Sequence, residues 1–289
     1  MKPLRMKKSP FNVKVIIVVF WLIFLFCAIV HVFPIIWAFI NSMKTAEEFF
    51  DDTLSLPKDF SLKNYINVFS DFKYRDYYYM DLLWNSLWIL GVHVTVNVLA
   101  STLLAYAVAR FRFPGKNLLY AVIIFANTIP IIGSGPAGFR LMKALNMINN
   151  PSIIWIAWAS GFDFAFIILY GTFRGVSEFY SEAARIDGAN EFTVLWKIIM
   201  PQAFPAIVAI AITQAVSVWN DYGTVMIYLR EYPNLAYGLY VFNTESNFVE
   251  NSKPIYFAAT IISCIPVIIL YACSQKLILT NITAGGLKG

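Results

Sequence analysis

Several uncharged apolar runs of about 18 residues or more limit what this chain can fold into more than any other feature. Each is long enough to cross roughly 30 Å of hydrocarbon at about 1.5 Å per helical residue. A helix is the expected form, because a lipid-facing strand would leave backbone N–H and C=O groups unpaired. Composition agrees: hydrophobic residues make up 59% of the 289 and charged residues 13%, against roughly 25% charged in soluble globular chains. A chain this long could bury a large core in water. The distribution of its apolar residues, rather than its size, selects the bilayer.

The apolar stretches lie at approximately 14–40, 82–109, 117–139, 152–173, 201–226 and 254–278. They predict an all-α integral membrane protein with six transmembrane helices, arranged as one transmembrane domain over residues 1–289. The first run, Val15 to Ile40, is too long for a signal h-region and lacks a small-x-small cleavage site. Phe26 is too bulky for lipoprotein cleavage before Cys27, so a retained helix is expected. Pro130, Gly133, Gly135 and Pro136 interrupt the third run, which membrane helices tolerate where neighbours satisfy the backbone.

An even number of crossings puts both termini on one side. Lys2, Arg5, Lys7, Lys8 and Lys14 precede or open the first run with no acidic residue among them, which places that side in the cytoplasm. Of the 22 Lys and Arg, 13 fall in segments this topology makes cytoplasmic. Five of the other 9 sit in the long 41–80 loop, where charge counts for little. Tyr74, Tyr77, Tyr78 and Tyr79 in that loop suit a membrane–water interface. The expectation is a multi-pass protein of the cytoplasmic membrane, its partner the lipid bilayer. The net charge of +5 is thereby explained without nucleic acid.

No polar stretch is long enough for a soluble domain, and no G-x-x-x-x-G-K-[ST] phosphate loop occurs. His31 and His93 are isolated in apolar runs and read as hydrogen-bonded helix residues. Cys27, Cys264 and Cys273 lie in apolar runs and form no framework. No enzyme activity, metal site or cofactor is expected in the chain itself.

One polar region differs from the rest. From Glu178 to Asp187 good helix formers predominate, and Gly188 stops the run. A second short helix is expected over Glu191 to Ile199, before Pro201 opens the next span. Ala183, Ala184 and Gly188 are small enough to let another surface approach, with Glu182, Arg185 and Asp187 as a charged rim. A docking element fits this pattern, and so does an amphipathic connector lying on lipid.

The segment resembles the cytoplasmic loop motif E-A-A-x3-G-x9-I-x-L-P of binding-protein-dependent ATP-driven importer permeases. Glu182-Ala183-Ala184, Gly188, Ile198 and Pro201 keep every spacing, with Met200 in place of Leu. Ser177, Tyr180 and Ser181 depart from the residues usual there. Arg110-Phe111-Arg112-Phe113-Pro114-Gly115, Trp219-Asn220 and the Thr283–Gly289 tail resemble the carbohydrate branch, similar to the maltose-type second permease. The resemblance covers nearly the whole chain. It implies half of a pore completed by a second homologous permease, with an extracytoplasmic solute-binding protein delivering the cargo. It also implies two cytoplasmic ATPase subunits, which would hold ATP and Mg. Those would seat on a coupling helix in the 178–200 loop between spans four and five, at Glu182, Ala183, Ala184, Arg185, Asp187 and Gly188. The Thr280–Gly289 tail, read as flexible, would also touch the ATPases.

The cargo implied is a sugar, and an oligosaccharide fits best. Asn127, Asp163, Trp219 and Asn220 are the candidate path residues, and no Lys or Arg lies clearly mid-span to attract an anion. Three of them have a structural alternative: Asp163 as a hydrogen bond between helices, Trp219 and Asn220 as helix packing. An ion-coupled secondary transporter is the rival class, but Asp163 and Asp221 are thin provision for ion coupling. A non-sugar cargo on the same scaffold is the nearer alternative.

Overall fold

The computed structural model describes residues 11–129, 133–244 and 249–285. Among them, four helices are long and apolar enough to cross a membrane: Val13–Asn41, Tyr79–Arg110, Glu191–Trp219 and Lys253–Gln275. The chain divides into two compact units, residues 1–72 with 245–262 and residues 73–244 with 263–289.

In the first unit α1 (Phe11–Asn41) leads through a polar link into α2 (Ala46–Asp51) and α3 (Lys63–Asp71). Thr45 and Glu48 form a reciprocal capping box that starts α2. The link is held by side chains reaching backbone carbonyls. Lys44 is buried with its Nζ donating to Asp52 O at 2.7 Å. Asn64 Nδ2 donates to the carbonyls of Ser42 and Lys44, each at 2.8 Å. Trp37 and Phe49 pack on Phe257, from the early part of α14 (Val249–Gly285).

The second unit opens with a two-stranded antiparallel hairpin, β1 (Lys73–Tyr74) and β2 (Tyr77–Tyr78), feeding α4 (Tyr79–Arg110). The remaining helices are α5 (Lys116–Thr128), α6 (Gly135–Ala144), α7 (Trp155–Trp158), α8 (Phe164–Gly175), α9 (Glu178–Ile186), α10 (Glu191–Thr193), α11 (Met200–Trp219), α12 (Gly223–Tyr228) and α13 (Leu235–Thr244). A π-helical stretch, Val194–Ile199, joins α10 to α11. The core forms where α4, α8 and α11 meet, with Ala105 and Tyr106 against Phe166, Leu169 and Phe173. In lipid such contacts gain little from water release, so close packing and polar ties hold them.

Local features differ from the sequence expectation: segment 117–139 is divided, α5 ending at Thr128 and α6 beginning at Gly135, and segment 201–226 is divided between α11, ending at Trp219, and α12, beginning at Gly223. Segment 152–173 is not one helix: α7 ends at Trp158 and α8 begins at Phe164. The helix expected over Glu191–Ile199 does not stop before Pro201 but runs through the π-helical stretch into α11. Pro201 has no N–H to donate to the carbonyl one turn back, and the side-chain amide of Gln202 donates to Ile198 O at 2.9 Å. Thr280 to Gly285, read as flexible, continues α14. Residues 286–289 of the tail, and Lys2, Arg5, Lys7 and Lys8 at the start, lie outside the described residues, as does Pro130.

Candidate functional site

The loop after α8 is built by local rules. Ser177 caps α9, its Oγ accepting the Phe179 N–H at 3.3 Å. Gly188 ends the helix at φ +84°, in the left-handed region glycine favours. The Ala189 N–H donates to Ala184 O at 2.9 Å and the Gly188 N–H to Arg185 O at 3.0 Å, the bond pair that closes a helix on glycine. Two residues later Asn190 Oδ1 accepts the Thr193 N–H at 2.8 Å and starts α10. Arg185 spans the elbow, its Nε donating to Glu191 Oε1 at 2.6 Å and its Nη2 to Oε2 at 3.2 Å. That hydrogen bond holds the guanidinium above its ordinary pKa. A two-point contact also fixes the angle between α9 and α10 better than one bond would.

The small residues do not share one role. Ala184 is buried beside Val194, Leu195 and Ile199, so its lack of bulk lets α9 sit against its own core rather than a partner. Ala183 is half-buried. Gly188 is exposed with open space where a Cβ would stand, so the backbone conformation, rather than close contact within the chain, requires it. Glu182, Arg185 and Asp187 are exposed. Beside them Phe179, Tyr180, Ile186 and Phe192 also face outward, Ile186 with 86% of its surface exposed. These apolar residues were missed in the sequence reading, although apolar side chains inside a polar segment were the available signal. Exposed apolar side chains thus stand among exposed charged ones on α9 and α10, a composition that fits a protein or a membrane contact alike.

The four candidate path residues do not form one site. Asn127 Nδ2 donates to Ile123 O at 2.9 Å and to Phe162 O at 3.3 Å, tying α5 to the break before α8. Asp163 lies at that break as the N-cap of α8. Its Oδ1 accepts the Phe166 N–H at 3.2 Å and the Ser101 hydroxyl at 3.0 Å. Trp219 is buried, and its Nε1 donates to Ser263 O at 3.2 Å, a helix-packing role. Asn220 is exposed, with Nδ2 donating to Val216 O at 2.8 Å.

A polar row on α4 went unnoticed in the sequence. Asn97 accepts from Gln214 Nε2 at 2.6 Å and donates to Trp158 O at 3.1 Å, while Ser101 one turn later holds Asp163. Polar residues four apart in an apolar helix were the available signal. Asp163 from the start of α8 and Thr213, Gln214 and Ser217 from α11 supply the polar lining of a groove of about 310 Å³ between the two helices. It is an apolar slot with a few polar groups, suited to hold a polar molecule by its edge.

Residues 98–283 match the family of binding-protein-dependent transport system inner membrane components. The chain is 27% identical over 261 residues to the diacetylchitobiose uptake system permease protein NgcG of Streptomyces coelicolor, covering 89% of this chain and 84% of the relative. It is 27% identical over 267 residues to the trehalose/maltose transport system permease protein MalG of Thermococcus litoralis, covering 91% and 93%. A crystal structure of a bacterial ABC transporter that imports the acidic polysaccharide alginate contains a chain of similar fold, with TM-score 0.81 and 26% identity over 94% of this chain and 99% of that one. This chain belongs to the family of binding-protein-dependent transport system inner membrane components.

Proposed function

We propose that the chain forms half of the translocation pore of an ATP-driven oligosaccharide importer. A second homologous permease completes the pore, and an extracytoplasmic solute-binding protein presents the cargo. Two cytoplasmic ATPase subunits, which carry ATP and Mg, seat on the 178–200 loop. The observation that carries this reading is the exposed patch of Phe179, Tyr180 and Ile186 on a short helix whose ends are both capped. A rigid, outward apolar helix transmits a push from a docked subunit, whereas a floppy loop would absorb it. The topology that accompanies it has six crossings, with both termini and the 178–200 loop in the cytoplasm and residues 41–80 and 228–252 outside. α5 with α6, and α7 with α8, supply the two crossings made by broken helices, whose irregular backbone is tolerated where protein surrounds it.

Oligosaccharide cargo is supported by the uptake systems of the relatives, which carry diacetylchitobiose in one case and trehalose or maltose in another. The groove beside Asp163 offers neutral polar edges on an apolar slot, which suits a sugar. A second reading, an acidic oligosaccharide, is favoured by the likeness to the alginate importer. Uptake by the assembled complex in proteoliposomes, with neutral oligosaccharides, uronate oligosaccharides, amino acids and phosphate offered in turn, tests the proposal. ATP-dependent entry of a saccharide is expected. Entry of amino acids or phosphate, with no sugar transported, would overturn the cargo assignment and leave the importer assignment standing.

A further inference from the structure

At the far end of α4 from the hairpin, four cations gather around one groove. Arg110 and Arg112 come from the end of α4 and its turn, Lys116 from the start of α5, and Arg174 from the end of α8. The groove offers about 450 Å³ and opens to the surface. Glu178 is the one carboxylate on its wall, so the lining carries a net of three positive charges. Among the described residues the sole ion pair within 4.0 Å is Arg185 with Glu191; Glu178 acts on Arg174 at longer range, and the other three cations have no carboxylate partner. Lys116 Nζ donates to Phe111 O at 3.0 Å, Arg174 Nη1 to the Tyr170 hydroxyl at 3.3 Å, and Arg110 Nη2 to Val176 O at 2.6 Å. Arg110 Nε is buried with no acceptor. Unspent donors and uncompensated positive charge together call for an anion with several oxygens.

What lies alongside says which anion. Leu118, Val122 and Phe125 stand exposed along α5 at the spacing of one helical face. A second groove of about 300 Å³ shares Arg112 and Lys116 and reaches Leu118, so the basic and apolar surfaces are continuous. Free phosphate has no use for the apolar stripe, whereas a phospholipid uses both. We propose that this groove binds the phosphate of an anionic phospholipid headgroup, with the acyl chains lying along α5. Arg110 also holds the carbonyl of Val176, the first of the two residues between α8 and α9, so the bound headgroup sits at the root of the 178–200 loop. A lipid there stiffens the joint through which a docked ATPase would act. That consequence rests on the function proposed above, but binding itself does not.

The test measures phosphatidylglycerol and phosphatidylcholine binding to the full chain in detergent, by native mass spectrometry. Arg112→Gln combined with Arg174→Gln removes two exposed cations without touching the Val176 tie, and Arg140→Gln with Lys143→Gln, on α6, is the control. The expected result is preference for phosphatidylglycerol, reduced at least tenfold by the first pair and unchanged by the second, with millimolar inorganic phosphate displacing little lipid. Equal retention of both lipids would overturn the proposal. So would an unchanged preference in the first pair, or a site that inorganic phosphate fills while lipid binding ignores it. If those two arginines prove necessary only for docking of the ATPase subunits in lipid-free detergent, the lipid assignment falls. Sidedness is not read by this assay, so its failure leaves the proposed topology and coupling to their own tests.

Discussion

Two elbows in this molecule use the same local chemistry in opposite surroundings. Gly161-Phe162-Asp163 and Gly188-Ala189-Asn190 each place a glycine at positive φ, +62° and +84°, two residues before an Asx cap that starts a helix. At the first elbow a Cβ on Gly161 would stand 3.2 Å from the Ala100 backbone, and Asp163 is held by Ser101 of α4. At the second, Gly188 has open space around it and an ion pair between exposed side chains spans the turn. The inner elbow is fixed by what it packs against, and the outer one by its own hydrogen bonds. An elbow locked from within positions helices. An elbow complete in itself can present a surface to something else.

That contrast is broken most severely at Gly161. Gly161→Ala combines the left-handed cost of about 1–2 kcal/mol with overpacking against backbone of about 1–3 kcal/mol. A large loss of thermal stability in detergent is expected, and stability close to that of the parent protein would show the contact with α4 to be loose. Asp163→Ala comes next. It removes an N-cap worth about 1 kcal/mol and leaves the buried Ser101 hydroxyl without its acceptor, at about 1–3 kcal/mol. Asp163→Asn keeps the cap and should recover most of the melting temperature, which separates capping from charge.

The outer elbow should yield less. Gly188→Ala meets no neighbour, so only the left-handed cost of about 1–2 kcal/mol applies. Gly188→Asn, which tolerates that conformation, should cost less still. Gly188→Trp should insert and fold with a similar penalty yet block transport, because its bulk stands where a partner would seat. Full transport by that variant would remove the docking assignment. Smallest of all is Arg185→Ala. An exposed ion pair contributes under about 1 kcal/mol, so thermal unfolding should barely change.

How much of this was legible in the sequence follows from the same two elbows. The outer one stood in a polar loop, where Gly188 and the change in composition were visible. The inner one was hidden in an apolar run. Average hydropathy over 152–173 does not register that Gly161 and Asp163 sit where a helix must begin, so Asp163 looked like a mid-span carboxylate rather than a cap. The long helices α1, α4 and α11 were readable because length and apolarity alone specify them in lipid. The direction in which Ala184 faces was not readable, since small size serves equally for a neighbour within the chain or beyond it. Trp219 likewise carried a residue type suited to sugar, while only packing against Ser263 revealed its indole N–H to be already engaged.

Sidedness of the outer elbow can be read directly. With Cys27, Cys264 and Cys273 replaced by Ser, single cysteines at Lys58 and Glu182 should label oppositely with an impermeant thiol reagent applied from outside. Lys58 should react and Glu182 should not. Equal labelling would sink the topology.

Above all, the proposed function requires the 178–200 loop to be the surface through which ATP hydrolysis reaches the pore. Ile186 offers the cleanest probe, because with 86% of its surface exposed it contributes almost nothing to the fold of this chain. The measurement is ATP-driven uptake by the assembled complex carrying Ile186→Asp, normalised to the amount of folded permease in the proteoliposome. A charge buried at a docking surface should lower uptake at least tenfold, about 1.4 kcal/mol of lost coupling, with melting temperature unchanged. Uptake within twofold of the parent complex would contradict the account.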